Sequence, residues 1–294
     1  MKFVLFLICQ FSLFVTSAQN ILEDKYIPDV KGPVKEYSEV SFKYAYEGGD
    51  TTYKERSIKR FDKNGRLIEL QEKGPYDEKY NKTVFTYNDS GYLQEIREFQ
   101  DNGRYNSHYA YEYDKNGNII KETRYYFLYD NRPTEIMLFT YDKNNRLTEI
   151  VKRWGFPKIN SLWKAGEEFD KERKEHSVYQ YDEKGFAIGR RIVRTGLEDL
   201  DWPALNGGVF EYKNDTTGRR LFTYRINKDN TKKAIEEFKY NKNGSLQEHK
   251  QAGFRYLYEY VYDQNGNWIK RIQRETEPNH DWIGTHTIRK ITYY

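Results

Sequence analysis

Histidine is the side chain best placed to move a proton near neutral pH or to hold a transition metal. The chain of 294 residues has five of them: His108, His176, His249, His280 and His286. No two stand at the H-E-x-x-H spacing that would aim both rings at one metal. His280-Asp281 followed by His286 comes nearest to a cluster, and it reads as a polar loop ahead of a last strand. Asp114-Lys-Asn116-Gly-Asn118 and Asp263-Gln-Asn265-Gly-Asn267 offer alternating oxygen ligands, as a calcium loop does. Their glycine precedes the third ligand, whereas in the EF-hand it follows, and a hairpin turn accounts for the same residues. Carboxylates are abundant, but glycoside hydrolysis needs two of them across a cleft at a set separation, and no feature selects a pair. The G-x-S-x-G elbow, the P-loop and the dinucleotide fingerprint are absent. The expectation is a protein without catalytic residues, metal or cofactor.

Recognition chemistry is a different matter. Trp154, Trp163 and Trp202 lie where the repeat described below does not require them, and aromatic faces on loops commonly carry binding. They are the candidate ligand-binding residues. The competing role is mechanical, with the rings clamping two insertions onto a sheet. Trp268 occupies a repeated core position and reads as structural.

The elements that would position these rings follow from composition and self-similarity. Aromatics make up 17% of the residues, led by 28 tyrosines, yet the mean hydropathy is −1.01. A chain this polar cannot pack apolar side chains on both faces of its elements. Tyrosine, with a large ring and a polar tip, can cover one face and still meet water. Charge is balanced, 49 basic against 45 acidic residues, and interspersed rather than gathered into the stripe a nucleic-acid binder needs. Cys9 is the only cysteine, so neither disulfides nor a cysteine metal site are expected. Lys2, the apolar run Phe3–Val15 and the small residues Thr16-Ser17-Ala18 form a signal-peptide pattern. Cleavage after Ala18 is predicted, leaving an exported domain over 19–294 with no membrane span.

One phrase recurs eight times. Its copies begin at Phe61, Tyr87, Tyr113, Tyr141, Tyr181, Tyr212, Tyr240 and Tyr262, as in Phe61-Asp-Lys-Asn-Gly65-Arg-Leu67 and Tyr262-Asp-Gln-Asn-Gly266-Asn-Trp268. The sixth, Tyr212-Lys-Asn-Asp-Thr-Thr-Gly218, reads as stretched. Asp or Asn at the first turn position bonds its own backbone ahead, and the later glycine accepts φ > 0. The result is a three-residue hairpin loop with a bulge, in which Asp62 pairs with Arg66 and Phe61 faces Leu67. Asn145 replaces glycine once, as the next-best left-handed residue. Rings spaced by two, such as Tyr109/Tyr111/Tyr113 and Tyr258/Tyr260/Tyr262, share one strand face. After each turn, apolar residues stand three apart, as in Leu67/Leu70 and Leu93/Ile96, so either both faces bury something or a bulge intervenes. Two insertions, near 154–177 and 195–208, interrupt the pattern, and Glu167–Glu175 could form a short helix.

These phrases, together with the closing stretch Tyr262–Arg271 and Arg289-Lys-Ile291-Thr-Tyr293, resemble the YD-repeat (Rhs-type) family over most of Phe61–Tyr294. The resemblance implies a spiralling β-sheet, which in large members can enclose a toxin. It also implies cell-surface roles, with carbohydrate binding proposed for some members. This sequence is short and shows no toxin domain, so an open curled sheet is expected in place of a closed shell. The fold expectation is therefore all-β, a curled antiparallel meander of successive β-hairpins with about 16 to 18 strands if each repeat gives two. The functional expectation is a non-catalytic binding or structural module of the cell envelope, periplasmic, surface-bound or secreted, that recognises a glycan or a protein. A scaffold for a toxin or other polypeptide cargo is the second reading, and a carbohydrate-active enzyme the third.

Overall fold

The computed structural model describes residues 30–44, 51–126, 133–154, 174–195, 207–277 and 280–294, and among them every regular element is a strand. The first nine are β1 (Val34–Tyr44), β2 (Thr51–Phe61), β3 (Leu67–Lys73), β4 (Asn81–Tyr87), β5 (Leu93–Phe99), β6 (Tyr105–Tyr113), β7 (Ile119–Tyr126), β8 (Pro133–Tyr141) and β9 (Leu147–Trp154). The second nine are β10 (Lys174–Tyr181), β11 (Ala187–Thr195), β12 (Gly208–Asn214), β13 (Arg220–Ile226), β14 (Lys232–Tyr240), β15 (Leu246–Gln251), β16 (Phe254–Tyr262), β17 (Trp268–Glu277) and β18 (His280–Tyr293). Each pairs antiparallel with the next, giving the expected hairpin meander of 18 strands.

The predicted turn is present in all its parts. Asp62 N–H donates to the Arg66 carbonyl at 2.9 Å, Gly65 N–H donates to the Asp62 carbonyl at 3.0 Å, and Phe61 pairs with Leu67. The Asp62 carboxylate accepts from the Asn64 and Arg66 amides. Asn145 adopts φ 59° in the fourth copy. The register shifts by one between Arg60 and Phe61, and the same bulge recurs beside Tyr87, Tyr113, Tyr141, Tyr181, Asn214, Tyr240 and Tyr262. This resolves the three-residue spacing. The bulge absorbs the odd residue, so Leu67 and Leu70 face the same way, 0% and 4% exposed, while Ile68 between them points outward.

Three expectations need correction. The sheet does not stay open: β18 pairs with β1 from Val34↔Tyr293 to Lys43↔Thr285, closing an up-and-down barrel. Turn chemistry specifies each local pairing but is silent on whether the last strand meets the first. Closure satisfies the backbone groups that two free edges would expose. The seam is reinforced by Arg289, whose Nε and Nη2 donate to Glu39 Oε1 at 2.9 and 2.6 Å, and by Tyr294 Oη, which donates to the Phe61 carbonyl at 2.6 Å. The sixth repeat is not stretched. Its loop is Asp215-Thr-Thr-Gly218-Arg219, closed by Asp215 N–H to the Arg219 carbonyl at 2.8 Å, with Asn214 in the tyrosine position. Finally, β10 already begins at Lys174, so Glu175 and Ser177 belong to a strand and not to the insertion. Residues 167–173 lie outside the described residues, as does the signal segment.

Connections in such a barrel alternate between its two ends. All eight repeat turns sit at one rim, with the start of β1 and the end of β18. At the other rim are two turns of the same kind, Gln100–Arg104 and Asn227–Thr231, and the two-residue turn Ala252-Gly253 with φ 51° and 91°. The strand ends flanking 155–173 and 196–206 are also there.

Candidate functional site: the inner wall of the barrel

Register and alternation sort the described side chains onto two faces. One carries Phe61, Leu67, Leu70, Phe85, Ile96, Tyr109, Tyr111, Ile119, Phe139 and Leu147, all buried, along with Val34 and Tyr37. The other carries the exposed Ile68, Ile120, Val178, Ile188, Val193, Val209, Val261 and Ile288. Side chains converge on the concave face of a closed sheet and splay on the convex one, so the tyrosine face is the inner wall. Eighteen strands enclose more space than one layer of side chains fills.

Tyrosines tie four of the repeats to the one before. Tyr87 Oη donates to the Leu67 carbonyl at 2.7 Å, Tyr113 to Leu93 at 2.5 Å, Tyr141 to Ile119 at 2.8 Å and Tyr181 to Leu147 at 2.5 Å. Asn214 substitutes in the sixth repeat, its Nδ2 donating to the Ala187 carbonyl at 2.8 Å. Each brace spans a hairpin and is worth about 0.5–1.5 kcal/mol net. Desolvation holds the Tyr113 and Tyr141 hydroxyls well above the usual phenol range, so they stay protonated donors.

The charges on the inner wall are divided. From β1 to β8 the inward carboxylates are Glu39, Glu55, Glu72, Glu98, Glu122 and Glu135, against Lys59 and Arg124. From β9 to β18 the inward cations are Lys152, Arg190, Arg194, Arg220, Arg225, Lys233, Arg271 and Arg289, against Glu175, Glu236 and Glu275. Glu72 touches water, yet enclosure by the wall pushes its pKa up. Lys59 pulls it down, while Glu55 and Glu98 push it up again. Burial lowers the pKa of Lys59, against the pull of Glu39 and Glu72. A cavity of about 450 Å³, lined by Glu39, Ser41, Glu55, Ser57, Glu72 and Arg271 among others, lies where the acidic arc meets β17.

In the basic arc, rings hold the guanidinium groups. Arg220 lies 3.5 Å from the Tyr212 ring centroid, Arg190 5.4 Å from Tyr179, and Trp268 carries Arg289 at 3.5 Å and Arg271 at 5.1 Å. Ring faces attract cations by about 0.5–2 kcal/mol, more when water is excluded. Tyr260, desolvated and beside Arg271, has its hydroxyl pushed up to about 12.

Of the three tryptophans singled out in the sequence, Trp154 ends β9 on the inner wall at the rim away from the repeat turns. It pairs with Glu135 and lies under Lys152 Nζ at 5.1 Å. Trp163 and Trp202 lie outside the described residues. The sequence reading missed the inner arginines. Their signal was position: Arg190 and Arg271 stand five residues after the turn glycine, and Arg220 two after, where other repeats place Leu or Ile. The histidines are dispersed, and His280 and His286 belong to β18 itself and not to a loop ahead of it. His108 stacks on Tyr125 at 4.2 Å and His249 on Phe238 at 4.6 Å, on opposite walls. Among the described residues no group of three or more His, Cys, Asp or Glu is arranged to hold a metal.

No family model and no curated protein matches the sequence. Among solved structures, the fold is similar to a porin-like protein from Bacteroides uniformis, with TM-score 0.45 and 10% identity over 90% of this chain and 98% of that one. It is also similar to part of TcdB2-TccC3, with TM-score 0.40 and 14% identity over 83% of this chain, which spans 14% of that one.

Proposed function

We propose that this protein is an exported, non-catalytic barrel that binds a glycan against its inner wall. The observation that carries the reading is the run of partly exposed inner rings on β16, Phe254, Tyr256, Tyr258, Tyr260 and Tyr262, with polar groups along their edges. Sugars present an apolar C–H face and a hydroxyl edge, so they stack on rings and need hydrogen bonds at the sides. The cavity beside Arg271 adds a concave polar site within the usual size range of about 300–1,000 Å³. Inner carboxylates are engaged in positioning: Glu39 with Arg289, Glu98 with Ser107, Glu135 with Lys152.

The outer wall argues for water rather than lipid on the outside. Arg60 with Glu36 and Glu69, Lys82 with Glu69, Lys121 with Glu112 and Lys250 with Glu237 all project from it. A membrane barrel needs an apolar outer band, and each basic residue at its midplane costs about 2–4 kcal/mol.

The test is a titration of the mature protein with a panel of polysaccharides, following tryptophan emission and the release of reducing ends together. Saturable change without new reducing ends is expected, since Trp268 sits on the inner wall. Silence toward every polysaccharide overturns the glycan reading and favours a polypeptide held in the barrel. Release of reducing ends overturns the non-catalytic one.

A further inference from the structure

The geometry points to an anionic ligand: we infer that the basic arc around Arg190, Arg220 and Arg225 docks the carboxylates of a uronate-bearing glycan. The inference rests on the glycan reading and names its substrate class.

Several outer-wall cations are matched by carboxylates, as in Lys82 with Glu69 or Lys239 with Glu248. The inner arc is matched differently. Glu175 serves both Arg190 and Arg194. Among the described residues, Arg220 and Arg225 have no carboxylate partner. Arg220 is held instead by the ring of Tyr212. Its charge is thus positioned without being neutralised.

The arginines also form one group. Arg190 and Arg225 flank Phe210 in the ladder. Arg190 and Arg220 both pull down the pKa of the Tyr179 and Tyr212 hydroxyls, although desolvation raises them overall. A carboxylate arriving beside Arg220 or Arg225 meets a guanidinium with no acid partner and accepts a charge-assisted hydrogen bond, while the sugar face lies on the neighbouring ring. Carboxylates concentrate on β1–β8, so a polyanion entering the barrel is drawn to the basic arc and repelled by the acidic one.

The experiment measures binding of the mature protein to polygalacturonate, to the same polymer after carboxyl reduction, to dextran sulfate and to polyglutamate. Parent, Arg220→Gln, Arg225→Gln and an outer-wall control, Lys213→Gln, are compared. Polygalacturonate is expected to bind, with affinity falling about tenfold in each arginine variant, the effect of one charged hydrogen bond. Added salt weakens it further, and Lys213→Gln leaves it unchanged. Circular dichroism confirms that the variants are folded. Equal binding of the reduced polymer overturns the inference while leaving the glycan reading intact. Tighter binding of dextran sulfate overturns the choice of carboxylate. Binding of polyglutamate alone overturns the glycan reading with it.

Discussion

The two halves of the barrel share a turn, a bulge and a register, yet their inner walls are built from different materials. At the positions two and five residues after the left-handed turn residue, the first half carries Leu67/Leu70, Leu93/Ile96, Ile119/Glu122 and Leu147/Ile150. The second half carries Ala187/Arg190, Arg220/Thr223, Leu246/His249 and Trp268/Arg271. Among the described residues, the twelve buried apolar side chains fall on β1–β9, and the buried side chains of β10–β18 are polar or charged, Ser177, Thr223, Glu248, Thr287 and Arg289. The difference teaches that the bulged turn suffices to make the wall, with or without its tyrosine brace. What stands on the wall is then free to be a core or a binding surface.

The largest expected effect tests that division directly. Leu147, 2% exposed, should cost about 2–5 kcal/mol when changed to Ala, from lost transfer energy and the cavity left behind. Its equivalent one repeat later is already alanine, Ala187, and two repeats later is Arg220. Arg220→Leu should change stability by less than about 1 kcal/mol, because the apolar contacts leucine makes on the wall offset the loss of one ring-stacked guanidinium. Urea midpoints for both variants measure the contrast. A comparable loss at Arg220 would mean that the second half is held by its arginines, and the division between core and surface would fall.

Next in size is a charge effect of opposite sign in the two halves. Glu248 on the outer wall of β15 accepts from Arg255 Nε at 3.1 Å and from Lys239 at 3.2 Å. Burial pushes its carboxyl up, but these bonds win and hold it at about 2, below the ordinary 4.5. A depressed carboxylate stabilises the fold above the unfolded value and loses that contribution as pH falls from about 4.5 toward 2. Glu248→Gln should therefore lose about 1.5–3 kcal/mol at pH 7, the range for hydrogen bonds to charged groups, and converge with the parent in acid. Glu72 on the inner wall of β3 is shifted upward. Its charged form burdens the fold above the raised value and ceases to do so below the unfolded one. Glu72→Gln should thus raise the neutral-pH midpoint, with no difference below about pH 4.5. Stability curves from pH 2 to 8 for the two variants check both signs.

A smaller effect separates braced from unbraced repeats. Tyr141→Phe removes the donor to the Ile119 carbonyl and should cost about 0.5–1.5 kcal/mol. Tyr240 occupies the same place on β14, the strand after Arg220 and Arg225, but its ring lies under Arg219 at 5.0 Å. Among the described residues its hydroxyl donates to no carbonyl, and Tyr240→Phe should be close to neutral. Equal losses at the two sites, read from thermal midpoints, would show that the brace acts through the ring alone.

Much of this fold was legible because its signals are local. Asp62, Gly65 and Leu67 specify their turn within seven residues, and the rule transfers from copy to copy, even to Asn145. Ring spacing by two identified the inner face before any register was known. What local signals cannot carry is long-range. The pairing of Val34 with Tyr293 joins the two ends of the chain, and no turn residue reports on it. The bulge was one of two explanations the spacing allowed, and only the register shows that residues two and five beyond the turn share a wall. Without that, nothing set Arg190 and Arg220 apart from the other charges of the chain. Tryptophan drew the search for a site toward the insertions because it is rare there, whereas the arginines were common and distinguished only by register. Of those tryptophans the described residues include Trp154 alone, on the inner wall but at the rim.

The smallest effect isolates the turn itself. Asn145 and Gly185 hold the same left-handed position in adjacent repeats, one on each side of the boundary between the halves. At Gly185 an added methyl group would meet only Arg146 Cδ at 3.9 Å, an ordinary contact. Gly185→Ala therefore measures backbone strain alone, about 1–2 kcal/mol for a residue with a Cβ in this region. Asn145 already bears part of that strain, but its Oδ1 accepts from Asn116 and Asn118 Nδ2, each at 3.2 Å, tying its turn to the preceding one. In Asn145→Gly, relief of strain and loss of these long, partly exposed bonds oppose each other, and the midpoint should move by less than about 0.5 kcal/mol. Asn145→Ala gains no relief and loses both bonds, so it should fall by about 1 kcal/mol or more. A clear gain for Asn145→Gly would mean that the link between turns contributes nothing. A clear loss would make asparagine here a fastening between repeats rather than a second-best glycine.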